Sequence, residues 1–486
     1  MAEEVNEYMH SAKTIASNSF FYTLALAVQK VLSTGYFWYY SNNLPGGASD
    51  VGRFNFVLSF VTLFFIIGDL GLYLVFLRES SKSPDNANKY LNTLLTIKLP
   101  LMALAILVIL GLSHFYLADN FLLLALALIW ILLDSLTALF YAVLRSRQNL
   151  KYESAAVIIY QIIVISIGIA SIKLSGDIIY LIIALIIGTG LNLIFAASIV
   201  IFKLKFKLRL VYDAPIIKFF LKALPAFTVA GVLVKILNSL DTVLIKQLTD
   251  DFHAVAFYTI PLKIITVLSL TVPTALMGAL YPAFSRLSAQ KSPVLNKIWE
   301  KSIEYLLIIS LPIGFGFLAL GQNIIGALWK LEYLAAVNPG KIMLFALPFI
   351  FMAFPTGNLL NAIGRQKCTA FSRGLGVAAL LLLSLILIPK FYLIGAATAM
   401  LCTHIVIVFS DIYFLRNRFL LILPALSKSF LRILFASGVM FAIINALIAH
   451  LPWYSLILIG GGVYLGVLWI IGGLDIKAML KLREKV

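Results

Sequence analysis

Residues 224–248 read LPAFTVAGVLVKILNSLDTVLIKQL. Nearly all of this stretch is compatible with a hydrocarbon environment, yet it holds Lys235, Asn238 and Asp241. A helix here would reach about 37 Å at 1.5 Å per residue, enough to cross a bilayer core of about 30 Å. Segments of this kind fill the chain, for example FLLLALALIWILL (121–133) and YLIIALIIGTGLNLIF (180–195). The 486 residues are 62% hydrophobic and 12% charged, where a soluble domain has about 25% charged residues. The chain is therefore an all-α polytopic membrane protein.

Apolar runs between polar breaks predict about fourteen transmembrane helices. Their limits are 15–38, 52–77, 90–113, 117–144, 155–173, 177–202, 219–245, 254–284, 301–322, 341–363, 371–389, 392–415, 429–450 and 453–473. With both termini cytoplasmic, 28 of the 38 lysines and arginines fall on the cytoplasmic side, 6 on the outer side and 4 within spans. That asymmetry is the positive-inside pattern expected of an even number of helices. The net charge of +17 then reflects topology and contact with anionic membrane lipids, and points to no nucleic acid. The acidic N-terminus lacks a short apolar core with a small-residue cleavage site, so the first helix is expected to be retained. Two cysteines, Cys368 and Cys402, supply neither a disulfide framework nor a metal cluster.

AVLRSR (142–147) and AIGRQK (362–367) follow the fourth and tenth spans, and YLI opens both the sixth (180–182) and the twelfth (392–394). These matches suggest two six-helix bundles related by a pseudo-two-fold axis along the membrane normal. The expected domains are 1–202, a basic cytoplasmic linker 203–218, a second bundle 219–415, and two extra helices with a basic tail, 416–486. Transporters with parallel repeats place substrate near the midplane and work by alternating access.

Lys30, Lys98, Lys235 and Lys263 lie inside spans, and a lysine at a helix centre costs about 2.5–3.5 kcal/mol on insertion scales. Two readings stand. The lysines pair with Asp69, Asp134 and Asp241 to hold helices together, or they line a hydrated interior, with Gln29 and Asn238 adding hydrogen bonds. Lys30, Lys235 and Lys263 are the expected substrate-binding cations. Lys98, Asp69, Asp134, Asn238, Asp241, Gln29 and His404 are the polar or ion-coupling candidates. An excess of cation suits a phosphate or pyrophosphate, which ammonium groups bind as point charges. Walker A, GxSxG and HExxH motifs are absent from the sequence, so neither ATP hydrolysis nor another enzymatic activity is expected, and no cofactor.

VGRFNF (51–56) followed by IGDLGLYLVFLRE (67–79) resembles the opening of bacterial polysaccharide flippases, the O-antigen and oligosaccharide exporters. LDTVLIKQLTDDFHAVAFYTIPLKI (240–264), ALYPAFSRL (279–287), LLNAIGRQK (359–367) and LIPKFYLIGAATA (387–399) extend the resemblance over both halves. The resemblance implies the fold shared with multidrug-and-toxin exporters and lipid II flippases. It also implies a central cationic cavity that turns a polyprenyl-pyrophosphate-linked oligosaccharide from the cytoplasmic to the outer leaflet of the bacterial inner membrane. Family cavity cations carry over to Lys30, Lys235 and Lys263. Helix kinks at Pro225, Pro261, Pro273 and Pro348 would let the helices bend as the halves rock, and an H+ or Na+ gradient, or the membrane potential, would supply the energy. An ion-coupled small-molecule exporter is the alternative, and a membrane-embedded glycan polymerase or ligase a third reading.

Overall fold

The structure, a computed structural model, describes residues 2–116 and 120–473, with side chains for 21–113, 120–222, 229 and 231–473. Among them are sixteen α-helices and no strand. Pro225, Lys13 and the basic tail beyond residue 473 lie outside the described side chains. Contacts divide the chain into two compact units, residues 1–243 and 244–486.

The first unit holds α1 (Ala2–Asn43), α2 (Gly47–Phe64), α3 (Ile66–Asp69), α4 (Leu72–Lys82), α5 (Ala87–Tyr116), α6 (Phe121–Ser146), α7 (Lys151–Leu174), α8 (Ile179–Ser198) and most of α9 (Ala214–Thr249). Helix α1 zips in parallel onto α7. Tyr22 donates to Glu153 at 3.0 Å, and Gln29 donates to Gln161 at 3.1 Å. Tyr36 lies across Gly168, where an added Cβ would fall 1.7 Å from the Tyr36 hydroxyl. Tyr22, Gln29 and Tyr36 are seven residues apart, the heptad repeat that keeps one seam facing a parallel partner. Lipid supplies no hydrophobic drive between helices, so small residues and polar ties of this kind hold them together.

The stretch predicted as one span over 52–77 is a broken helix. Leu70 (φ 38°) and Gly71 (φ 66°) are left-handed, and Gly47–Phe64 and Ile66–Lys82 meet at 42°. Hydropathy does not register backbone hand, so the apolar run concealed the break.

The second unit contains α10 (Phe252–Ala289), α11 (Val294–Leu328), α12 (Val337–Leu344), α13 (Leu347–Ala362), α14 (Gln366–Phe414), α15 (Arg416–Leu447) and α16 (Trp453–Ile470). Pro261 and Pro273 lie within α10, and Pro348 stands at the start of α13, where Leu331–Leu344 and Leu347–Ala362 meet at 40°. Helix α14 joins the eleventh and twelfth predicted spans and reverses at Tyr392 (φ 52°, ψ −131°). Its limbs run antiparallel, since Ser372 bonds Ser410 at 3.0 Å and Gly376 faces Ile407. The last two helices are part of the core of this unit. Ile433, Met440 and Ile444 of α15 and Leu456, Tyr464 and Leu468 of α16 pack with Trp299 and Leu307 of α11, and the Tyr464 hydroxyl donates to the Ile308 carbonyl at 2.7 Å.

Among the described residues nine helices are long and apolar enough to cross a membrane, or eleven spans with the two bent pairs each taken as one. That measure does not reach the fourteen expected. It counts α14 once despite its reversal, and α1 and α9, each with undescribed side chains, are outside it.

At Gly395 a Cβ would meet the Leu387 carbonyl oxygen at 2.1 Å, a backbone atom of the same hairpin. Gly395→Ala is expected to cost about 1–3 kcal/mol by overpacking. In detergent the variant should melt earlier than Gly462→Ala, whose Cβ would meet nothing within 4 Å.

Candidate functional site

Asp69 is the last residue of α3, at the edge of the break, so the bend aims its carboxylate into the first unit. Lys98 of α5 donates to Oδ1 at 2.7 Å, and the Ser135 hydroxyl of α6 donates to the same oxygen. Lys235 of α9 donates to Oδ2 at 2.7 Å. Helices α5, α6 and α9 therefore converge on one carboxylate. The pairing of each lysine with its own aspartate is not what forms, because Asp69 alone takes Lys98 and Lys235.

The two lysines differ in environment. The Lys98 side chain is 2% exposed, Asp69 is 14% exposed and Lys235 is 40% exposed. An ion pair out of water gains from Coulomb attraction only when its remaining polar groups are also satisfied. Lys98 and Ser135 meet that need on one oxygen. Lys235 holds the other while keeping two of its three ammonium hydrogens for a further acceptor. Two ammoniums thus share the one carboxylate that they contact directly. Asp134, exposed and adjacent to Ser135 in sequence, lies within electrostatic reach of Asp69, Lys98 and Lys235.

The remaining candidates are distributed more widely. Lys30 is half-buried on α1 and among the described residues forms no ion pair; its carbonyl accepts from Thr34. Gln29 is occupied in the α1–α7 seam. Asn238 is exposed one turn after Lys235, whereas Asp241 is buried and accepts from the Thr242 N–H at 2.7 Å. In the second unit Lys263 is half-buried just after Pro261, and His404 is half-buried on the second limb of α14.

Sequence reasoning missed two buried ion pairs. Glu153, 3% exposed, pairs with Arg145 and also accepts from Tyr22. Asp411, fully buried, accepts from Thr356 at 3.1 Å and pairs with Arg373 at 3.4 Å. Counting bases by side places both arginines among the cytoplasmic charges; Arg145 is only eight residues from Glu153, whereas 38 residues separate Arg373 from Asp411. The isolated carboxylates were the available signal.

The fold and its interior charges define a multi-pass membrane protein with a polar site built from side chains of several helices. Residues 15–288 match the family described as polysaccharide biosynthesis protein, and the chain belongs to that family. A solved structure titled lipid II flippase MurJ, inward closed conformation, superposes with a TM-score of 0.70 at 18% identity, covering 94% of this chain and 98% of that one. An inward-facing multidrug resistance transporter of the MATE family superposes with a TM-score of 0.64 at 14% identity, covering 82% and 96% respectively. At these identities the likeness is one of fold. An uncharacterized membrane protein of Methanocaldococcus jannaschii is 29% identical over 149 residues, which is 28% of this chain and 29% of that protein.

Removing a charge tests the hierarchy within the cluster. Asp69→Asn strands the buried Lys98 ammonium and is expected to destabilise by about 3–5 kcal/mol. Lys235→Met removes a partly exposed partner and should cost about 1 kcal/mol or less. Melting curves in detergent should rank the variants in that order, with Lys98→Met partly rescuing Asp69→Asn.

Proposed function

We propose that this protein is a flippase that moves polyprenyl-pyrophosphate-linked oligosaccharide from the cytoplasmic to the outer leaflet of the bacterial plasma membrane. Both termini are cytoplasmic in this reading. Membership of the polysaccharide biosynthesis family supports it, as does the fold shared with a protein titled a lipid II flippase.

The observation that carries the proposal is the unequal sharing of Asp69. Lys98 is sealed and its partner fixed, whereas Lys235 is paired yet open. A pyrophosphate head group offers more negative charge and more acceptor oxygens than one carboxylate. Lys235 binds it with its spare hydrogens while Asp69 holds the side chain in position, so the amine is oriented before substrate arrives. Asp69 and Lys98 keep the site from collapsing when the head group leaves. Lys30, half-buried and without an ion pair among the described residues, contributes a second cation. Lys263 is assigned the same chemistry in the second unit. The lipid tail remains in hydrocarbon throughout, so only the polar head is taken from water. Coupling to H+ or Na+, with Asp134 and His404 as the titratable candidates, belongs to the same proposal.

The alternative, an ion-coupled exporter of cationic small molecules, calls for a free acidic site, and the two lysines already bound to Asp69 disfavour it.

In proteoliposomes, wild type should accelerate transfer of a polyprenyl-pyrophosphate-linked oligosaccharide above empty vesicles. Lys235→Ala should reduce the rate by about tenfold or more, and Lys235→Arg should retain part of it, since about 1.4 kcal/mol of head-group binding corresponds to tenfold. A folded wild type that moves cationic dyes but none of the lipid-linked substrates would replace this reading with the exporter.

A further inference from the structure

Between α8 and α9 the chain runs through residues 204–213 without helical or strand pairing, and the first unit fastens it at several points. Asn92 of α5 donates through Nδ2 to the Lys207 carbonyl at 2.8 Å, and its Oδ1 accepts from the Arg209 N–H at 3.1 Å. A carbonyl and an N–H two residues apart on one side are the hydrogen-bonding edge of an extended strand, so the Asn92 amide acts as a one-residue ladder. Thr96, one turn on, donates to the Val211 carbonyl at 3.1 Å. Asp213 closes the segment, pairing with Lys89 at 2.6 Å and accepting the Ile216 N–H at 3.1 Å as the cap of α9. The Lys89 ammonium holds the Asp213 carboxyl below the usual range. Phe206, buried, pins the other end.

The fixed strap carries a regular pattern. Lys203, Lys205, Lys207 and Arg209 occupy every second position and are exposed. Between and beside them stand Phe202 (80% exposed), Leu208, Leu210 and Tyr212 (79% exposed). Side chains alternate between two faces in extended backbone, so from Lys207 to Tyr212 bases and apolar groups point opposite ways. Bulky apolar groups left in water would be unfavourable, and a row of bases that form no ion pair among the described residues invites anions. A bilayer edge satisfies both faces at once, with apolar groups entering the acyl boundary and bases meeting head groups.

We propose that this strap is a seat for anionic phospholipid head groups in the leaflet where α8 ends and α9 begins. The inference is independent of the flippase reading, and its test involves no transport. Wild type in nanodiscs is exposed to a photoactivatable phosphatidylglycerol, or to the matching phosphatidylcholine, and labelled peptides are identified. Phosphatidylglycerol is expected to label residues 199–213 at least tenfold more than phosphatidylcholine. The Lys205→Gln, Lys207→Gln, Arg209→Gln triple variant should lose that preference, each base near an anionic surface being worth about fivefold in affinity. The wild-type comparison stands even if the variant misfolds. Equal labelling by the two lipids, or a folded variant with unchanged preference, overturns the proposal. Suppression by free pyrophosphate would also overturn it, assigning the strap to soluble phosphates.

Discussion

A carboxylate at the end of a broken helix inside an apolar bundle carries a charge that hydrocarbon will not solvate, and Asp69 is in that position. The break at Leu70–Gly71 gives the side chain its direction, and three helices meet it with two ammoniums and a hydroxyl. Much of the first unit follows from this requirement. Helix α5 must present Lys98 at the right height, α6 must turn Ser135 inward, and α9 must bring Lys235 alongside. Removing the charge would free all three helices from a shared constraint.

The same economy recurs at Glu153 and Asp411. Each carboxylate is enclosed by an arginine and a hydroxyl donor, so buried charge in this protein is met by more than one partner. Among the described residues only the Asp69 cluster combines a sealed partner with an open one, which separates a scaffold from a site. Helix α14 adds close approach at Gly376 and Gly395 to its Arg373–Asp411 pair, while α15 and α16 rest on apolar packing against α11.

The helices were legible because twenty apolar residues have few other stable arrangements, and the all-helical architecture bears this out. The polar residues were legible individually for the same reason: Lys98, Lys235 and Asp69 stand out against their surroundings. Their pairing was not, because 29, 66 and 166 residues separate Asp69 from Lys98, Ser135 and Lys235. Nothing local chooses Asp69 over Asp134 for Lys98. The break was hidden because Leu70 is apolar and its left-handed backbone leaves no mark in hydropathy. Arg145 and Arg373 count as loop charge when bases are tallied by side, because such a tally takes no account of the carboxylate that the fold brings to each.

Those sequence separations also set an order of events during synthesis. At about 5–20 residues per second, Lys98 follows Asp69 within about 1.5–6 s, whereas Lys235 follows only after about 8–33 s. The nascent bundle therefore passes through a stage in which Lys98 is the only one of the two lysines yet made. The sealed partner is thus available to the carboxylate throughout the interval before the open one is made, so the charge of Asp69 need not wait for Lys235.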